Sequence, residues 1–517
     1  MRIVDYLDKG ASLDANAPCL TTDGSSLSYA EVQTLSRTIA AALVARGVGP
    51  GDKVAILSSN DPVSFSCVFG ISRAGAVWCP INPRNEAAEN CELLELSDCS
   101  VLIYQEAFAP VVARIRADLP QLHTWVCLDG TDAGSLTWDD FVGSGATRAQ
   151  EAGPEARPDL PSPGDMAMIA GTGGTTGRPK GVILSGTNLE TMTALTLMGY
   201  PFEGRPVYLA LAPLTHAAGV LCFPTLCRGG EIVIMRTPDV HGFLDLVPAH
   251  GVTHTFLPPT LIYMILSDER LESTDLSSLQ CFWYGAAPMS ATRLEEALHR
   301  IGPVMAQLFG QTEAPMMVSM MPPSDHFRAD GSIATERLST AGRPAPLVTV
   351  AIMDGEGRLL PTGDHGEIVI RSSLVTPGYY KDEEATREAS RFGWHHTGDI
   401  GFLDDDGFLS IVDRAKDMII TGGFNVYSAE VEQAVMQHEG VQDCAVIGLP
   451  DDKWGERIEA VVQPLPGRTV DPAQVIAFVK ERIGSVKTPK AVHVWEDLPR
   501  SKVGKVVKPD IRERLGE

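Results

Sequence analysis

Gly171-Thr172-Gly173-Gly174-Thr175-Thr176-Gly177-Arg178-Pro179-Lys180-Gly181 is the stretch whose reading decides the fold. An apolar run, Met166 to Ala170, precedes it and a second, Val182 to Leu184, follows it, so the pattern predicts a glycine-rich loop between two strands. Glycines let a backbone turn tightly and bring its N–H groups close to an anion. Thr172, Thr175 and Thr176 add hydroxyl donors, and Lys180 adds a full positive charge. This is phosphate-binding chemistry. Two familiar phosphate motifs are excluded: no Gly-Lys-Ser/Thr follows a four-residue gap, and no Gly-x-Gly-x-x-Gly opens a helix here.

Outward from the loop, strands alternate with helices. Ser28 and Glu31 have capping-box spacing and predict a helix toward Arg46 that stops at Gly47. Val54 to Leu57 reads as a strand, Pro62 to Ala74 as a helix, and Ala76 to Cys79 and Val101 to Tyr104 as further strands. Residues 151–165, rich in Pro, Ala and charge, read as a surface connection into the loop. Beyond it, Thr187 and Glu190 have the spacing of a second capping box, for a helix ending near Gly199. Strands are expected at Glu231 to Met235, Thr253 to Leu257 and Gln280 to Tyr284. From about Leu347 the texture changes to antiparallel strands, expected to form a small barrel-like subdomain. The last hundred residues read as a separate α+β unit, with helices near Ala429 to Gln437 and Pro472 to Ile483.

The chain has 517 residues, enough for two or more domains. No run of about eighteen apolar residues marks a membrane span. A formal charge of −24 disfavours nucleic acid as a partner, because both would repel at long range. Ten scattered cysteines without a Cys-x-x-Cys pair read as reduced, mostly buried thiols. With no signal-peptide core at Met1 to Tyr6 and no peroxisomal address at Arg514 to Glu517, the expected location is the cytoplasm.

The glycine-rich loop resembles the phosphate loop of the adenylate-forming enzymes, the superfamily of acyl- and aryl-CoA synthetases, luciferases and peptide-synthetase adenylation domains. Gly173 stands where that family commonly has serine, which removes a hydroxyl but no backbone donor. Other segments follow in family order. Phe309-Gly310-Gln311-Thr312-Glu313, by itself an ordinary strand-to-helix turn, is similar to the family's aromatic-Gly-x-Thr-Glu motif; the resemblance puts Thr312 on the α-phosphate and Glu313 on Mg²⁺. Gly285-Ala286-Ala287-Pro288 resembles the adenine-contacting segment, and Asp399 and Arg414 match the residues at the ribose. Lys505 matches the C-terminal lysine that bridges the substrate carboxylate and the α-phosphate. Gly422 and Gly423 resemble the motif lining the pantetheine tunnel, and Lys416 falls on the hinge.

His216, taken alone, reads as a satisfied core residue; in the family that position borders and gates the carboxylate pocket. Amino-acid-activating relatives place an aspartate after it, whereas this chain has Ala217, Ala218 and Gly219, which argues for a simple carboxylic acid. Those residues and Cys222 have little bulk and suggest a pocket for an aryl or medium-length acyl group.

The resemblance implies an α/β architecture: a large N-terminal domain over residues 1–413, a hinge at 414–416 and a mobile α+β lid over 417–517. It implies an acid–CoA ligase using ATP, Mg²⁺ and CoA, with Lys505, Glu313, Thr176 and His216 catalytic. The loop residues Thr172, Gly173, Gly174, Thr175, Thr176, Gly177 and Lys180 would hold the phosphates. Transfer to a carrier-protein pantetheine, a luciferase-like oxygenase and a catalytically silent adenylate-binding regulator stay open as alternatives.

Overall fold

The computed structural model of the protein describes residues 1–152, 164–172, 179–414, 417–451, 453–501 and 506–516. The connection expected over 151–165 therefore falls largely outside the described residues.

Two largely parallel sheets build the N-terminal part. One has seven strands, ordered Leu136–Thr137, Thr124–Cys127, Cys99–Tyr104, Lys53–Leu57, Val77–Ile81, Met166–Thr172 and Lys180–Ser185. All neighbours are parallel except the last pair, the antiparallel hairpin that carries the glycine-rich loop. The other sheet has nine strands, with Glu231–Ile234, Val207–Ala210, His254–Leu257, Cys281–Tyr284 and Met305–Gln311 running parallel at its centre. These central strands are buried on both faces, as the continuous apolar runs require.

Local signals set several helix starts. The Ser28 hydroxyl caps the helix Tyr29–Ala45 and Glu31 returns the box. Asp61 caps Pro62–Arg73, whose proline occupies the first turn, where its missing N–H costs nothing. The helix Gly186–Gly199 ends as expected but is not capped by Thr187 and Glu190. Its cap is Ser185, with Asn188 as the reciprocal partner. Asn188 also donates to Ser373 O and Val375 O, at 2.9 and 2.8 Å, and so fixes the helix start from outside. Glu190 pairs with the amino terminus of Met1.

The third sheet is antiparallel, in the order Thr349–Met353, Gly366–Arg371, His395–Leu403, Leu409–Arg414, where the barrel-like subdomain was expected. The C-terminal unit holds a five-stranded sheet with the helices Ser428–Val435 and Pro472–Ile483 packed in its own apolar core. A buried polar network joins it to Leu409–Arg414. Asp413 accepts from the backbone N–H and hydroxyl of Ser428, Lys508 donates to Ser428, and Lys508 pairs with Glu432 at 2.8 Å. Arg512 reaches Asp417 at 3.0 Å. The expected hinge, Lys416, lies outside the described residues. Among the described residues no helix is long and apolar enough to cross a membrane. All ten cysteines are free thiols.

The cap assignment is testable by urea denaturation. Ser185→Ala is expected to cost about 1 kcal/mol, the usual price of losing an N-cap hydroxyl. Glu190→Gln, which removes a half-exposed ion pair, is expected to cost less than about 0.5 kcal/mol.

Candidate active site

Among the described residues, those expected at the nucleotide lie where strand ends from three sheets converge. On the glycine-rich hairpin, Thr172 is paired with Lys180, and the Thr172 hydroxyl leans toward Lys180 O at 3.4 Å. Gly173, Gly174, Thr175, Thr176 and Gly177 lie outside the described residues. Beside the hairpin runs the segment Thr376 to Tyr380. The Ile183 N–H donates to Gly378 O at 3.1 Å, and the Tyr380 N–H to Gly181 O at 2.7 Å.

The same segment reaches the Phe309–Glu313 motif. This motif does not lead into a helix: it closes a hairpin between Met305–Gln311 and Ala314–Met321. The tight strand-to-strand turn puts Thr312 and Glu313 at the sheet's end. Thr376 N–H donates to Glu313 O at 2.6 Å, and the Tyr379 hydroxyl donates to Glu313 Oε1 at 2.8 Å. Among the described residues, Glu313 Oε2 accepts no hydrogen bond, so it is available to a hard cation, which takes oxygen ligands. The chain's fit to Mg²⁺ rests on that oxygen. No cluster of three ligating side chains occurs among the described residues, and a cation shared between nucleotide phosphates and one carboxylate requires none.

Gln311 gives the motif a second job. Its side-chain amide donates to Asp399 Oδ2 at 3.0 Å and to Thr397 O at 2.6 Å. Asp399 is buried in the strand His395–Leu403, and Arg414, opposite it on the neighbouring strand, bonds to Asp399 Oδ1 through Nε at 2.7 Å. A carboxylate accepts through several lone pairs, which is the chemistry a diol requires. Gly285 to Pro288 follow the strand Cys281–Tyr284, which pairs in parallel with Met305–Gln311, so the expected adenine segment leaves the sheet on the same side.

His216 precedes the short helix Ala217–Val220, and its Nδ1 lies 3.0 Å from the Thr215 hydroxyl. Burial, assisted by the Arg84 charge, pulls its pKa down to about 4, so the ring is neutral near pH 7. Of the small residues expected to shape an acyl pocket, only Ala217 is partly exposed; Ala218, Gly219 and Cys222 are buried. The missing side chain of Gly219 has a packing reason: an added Cβ would stand 1.9 Å from Leu214 O. The Cys222 thiol donates to Ala218 O at 3.2 Å. Low bulk at these positions is thus partly a packing requirement and does not by itself measure a pocket.

A cleft of about 590 Å³ does open, elsewhere, between the N-terminal part and the C-terminal unit. Leu211 and Tyr263 line one wall, and Asp443 and Arg500 the other. In the C-terminal unit Gly422 and Gly423 form the two-residue turn between Ile419–Thr421 and Phe424–Val426, with φ of 58° and 81°. Positive φ at both positions requires residues tolerant of the left-handed region, whatever passes beside them. Lys505 lies outside the described residues.

Two groups escaped sequence reasoning. Tyr379 bonds to Glu313, and its ring centroid is 5.0 Å from Lys180 Nζ. Trp454, 41% exposed, packs over Gly422 with Lys453 and Lys490 at 4.8 and 5.6 Å from its ring centroid. The aromatic pair after Gly378, and a tryptophan beside a lysine, are signals only once the turns that place them are known.

A family model described as AMP-binding enzyme matches residues 7–380. The chain belongs to that family. A second model, the AMP-binding enzyme C-terminal domain, matches residues 430–505. Similar curated proteins include a feruloyl-CoA synthase of an Amycolatopsis species, 36% identical over 98% of this chain and 97% of the relative. A medium/long-chain fatty-acid–CoA ligase of Mycobacterium tuberculosis is 35% identical over 92% of this chain and 83% of its own. Among solved structures, the ATP-bound MatB from Rhodopseudomonas palustris superposes with a TM-score of 0.86 at 28% identity, covering 100% of this chain and 99% of that one.

The histidines give a pH prediction. His216, His254 and His326 each have a folded pKa near 4, below the ordinary 6.5, chiefly because of burial. The unfolded chain therefore binds more protons across that window, and stability is expected to fall as pH drops from 6.5 toward 4. Thermal midpoints measured at several pH values through that window check it. Because His216 stays neutral above that range, His216→Phe is expected to change the rate of pyrophosphate release without moving any inflection between pH 6 and 9, about the range of ordinary assays.

Proposed function

We propose that the chain joins an aryl or medium-length acyl carboxylate to CoA through an acyl-adenylate, with the residues around Glu313 handling the nucleotide. It is an AMP-forming acid–thiol ligase, in line with its relatives named as feruloyl-CoA, fatty-acid–CoA and indoleacetate–CoA ligases. The observation that carries the reading of the site is the convergence of Lys180, Glu313 with one open oxygen, and the Gln311–Asp399–Arg414 group at one set of strand ends.

In the first step the substrate carboxylate attacks the α-phosphorus of ATP and pyrophosphate leaves. Lys180, the hairpin's backbone N–H groups and Lys505 offset charge that grows on phosphate oxygens, the electrostatic role that usually dominates such catalysis. Thr312 is read as the α-phosphate contact and Thr176 as a further hydroxyl donor. Glu313 Oε2 would hold Mg²⁺, which supplies neutralising charge when bound. Asp399 receives the ribose hydroxyls, with Gln311 and Arg414 holding its carboxylate. His216 borders the carboxylate pocket as a neutral ring.

In the second step the CoA thiolate attacks the acyl carbonyl and AMP leaves. The exposed face of Trp454, with Lys453 and Lys490 beside it and Gly422 beneath, supports docking of the nucleotide end of CoA: the ring offers stacking and the ammonium groups meet phosphates. The interdomain cleft is less suited to that end in this orientation. It carries Asp239, Asp268, Asp443 and Asp497 against Arg293 and Arg500. A turn of the small unit about 414–416 between the two steps fits this mismatch, since Lys505 and Gly423 both belong to that unit. A reaction fed by ATP and CoA is in keeping with a cytoplasmic location.

A carrier-protein acceptor is the second reading, favoured by a fatty acid–[acyl-carrier-protein] ligase of Streptomyces coeruleorubidus, 31% identical over 98% of this chain and 95% of its own. Product on a holo-carrier but none on free CoA would select it. A screen of pyrophosphate release over benzoates, cinnamates and fatty acids tests the substrate class, with the strongest response expected from aryl or medium-length acids. A preference for acetate or an amino acid, or no acid-dependent release at all, overturns the proposal.

Two variants separate the half-reactions. Lys505→Ala is expected to slow adenylation by about 10²–10³-fold while still converting supplied acyl-adenylate and CoA to thioester. Trp454→Ala is expected to raise the KM for CoA about tenfold, roughly the loss of one stacked, charge-flanked contact, with single-turnover pyrophosphate release unchanged. Gly423→Leu is a poorer probe, because any side chain at a φ of 81° is strained.

A further inference from the structure

Lys180 and Glu313 carry opposite charges on different hairpins, yet they form no ion pair with each other. One side chain touches both. Tyr379 donates from its hydroxyl to Glu313 Oε1 at 2.8 Å, and Lys180 Nζ lies 5.0 Å from the centroid of the same ring. The ring's backbone is pinned independently of any ligand. Tyr379 N–H donates to Thr386 Oγ1 at 2.9 Å, Tyr379 bridges Val182 of the glycine-rich hairpin, and Tyr380 Oη donates to Asp98 Oδ2 at 2.9 Å. A phenol O–H facing a carboxylate oxygen is the donor of the pair.

A lysine and a glutamate facing one phosphate site without a spacer would lower their energy by pairing directly. That pair would consume the positive charge meant for phosphate and the carboxylate oxygen meant for the cation. We propose that Tyr379 is the positioning residue that prevents this collapse: its hydroxyl holds Glu313 with Oε2 open, and its ring face holds the Lys180 ammonium apart by cation–π attraction. The inference rests on the reading of Glu313 as the carboxylate of the divalent cation and of Lys180 as a phosphate contact. A substituent at 379 thus sets how strongly the site takes metal-nucleotide, although it touches neither the acyl group nor the thiol.

The hydroxyl and the ring are separable. Tyr379→Phe keeps the ring under Lys180 and deletes the bond to Glu313; Tyr379→Leu deletes both. The readouts are Mn²⁺ binding to the enzyme–ATP complex by electron paramagnetic resonance, ATP binding without divalent cation by calorimetry, and initial rates of pyrophosphate release against Mg²⁺. Tyr379→Phe is expected to weaken Mn²⁺ and raise the Mg²⁺ needed for half-maximal rate about tenfold, the loss expected for a hydrogen bond to a charged group. Its KM for the acid and its metal-free ATP binding are expected to stay at the parent values. Tyr379→Leu is expected to weaken metal-free ATP binding as well, and adding Glu313→Gln is expected to restore that part, because Lys180 then has no carboxylate to collapse onto.

Glu313→Gln in the parent chain keeps the outcomes apart. If it weakens Mn²⁺ while Tyr379→Phe does not, the positioning role is overturned and the reading of Glu313 stands. If neither variant moves Mn²⁺ binding, the reading of Glu313 falls and the inference falls with it. Should Tyr379→Leu fail to fold, the near-isosteric Tyr379→Phe still decides between these results.

Discussion

The site depends on a seam of backbone hydrogen bonds along Thr376 to Tyr380. This segment is pinned on one side to the glycine-rich hairpin, through Gly181 and Ile183, and on the other to the carbonyl of Glu313. Each bond is ordinary in strength, on the order of 1 kcal/mol net. Their arrangement matters more than their sum. The hairpin belongs to the seven-stranded sheet and Glu313 to a turn of the nine-stranded one, so the seam is where the two sheets are brought into register. Thr376 adds to this with its hydroxyl, bonded to Ile183 O at 2.5 Å and Gly378 O at 2.9 Å.

Charge explains why such registration is needed. An acidic chain, at −24, cannot draw a triphosphate by its overall field, so donors and cations must be concentrated in one place. Concentrating them also brings Glu313 and Asp399 close, and each carboxylate must then be held to a single task. Asp399 is held by Gln311 and Arg414, and Glu313 by Tyr379. Asp399 is gripped at both oxygens, whereas Tyr379 donates to one oxygen of Glu313 only.

What the sequence revealed was local. The capping box at Ser28 and Glu31, the proline after Asp61 and the apolar runs around the glycine-rich loop act within a few residues, and the elements appear where they point. The helix after the loop shows where local reading stops. Ser185-x-x-Asn188 and Thr187-x-x-Glu190 overlap, and the second has the better acid; the first wins because Asn188 is also bound by Ser373 and Val375, nearly two hundred residues away in the chain. The Phe309–Glu313 motif was legible as a unit, but its hairpin depends on the pairing of Ala314–Met321 with the preceding strand. Tyr379 was invisible for the same reason: its partner lies 66 residues earlier. Binding roles for Lys505, Lys416 and the loop's central residues rest on resemblance to the family and on the proposals above.

The network of Asp413, Ser428, Lys508 and Glu432 bears on how the small unit moves. Asp413 lies next to the end of the last strand of the large part and is bonded to Ser428, which with Lys508 and Glu432 belongs to the C-terminal unit. The Lys508 side chain is only 16% exposed, and a charge so placed does not trade its partners for water gradually. Under the proposed rotation, either this cluster travels intact with the pivot or it opens all at once. If it opens, intermediate angles would leave a buried charge without its partners and would be disfavoured, so the lid would act as an indexed joint with a few seats. Timing in such a joint would be set by the rate of leaving a seat, and four side chains that touch no substrate would then act as its clock.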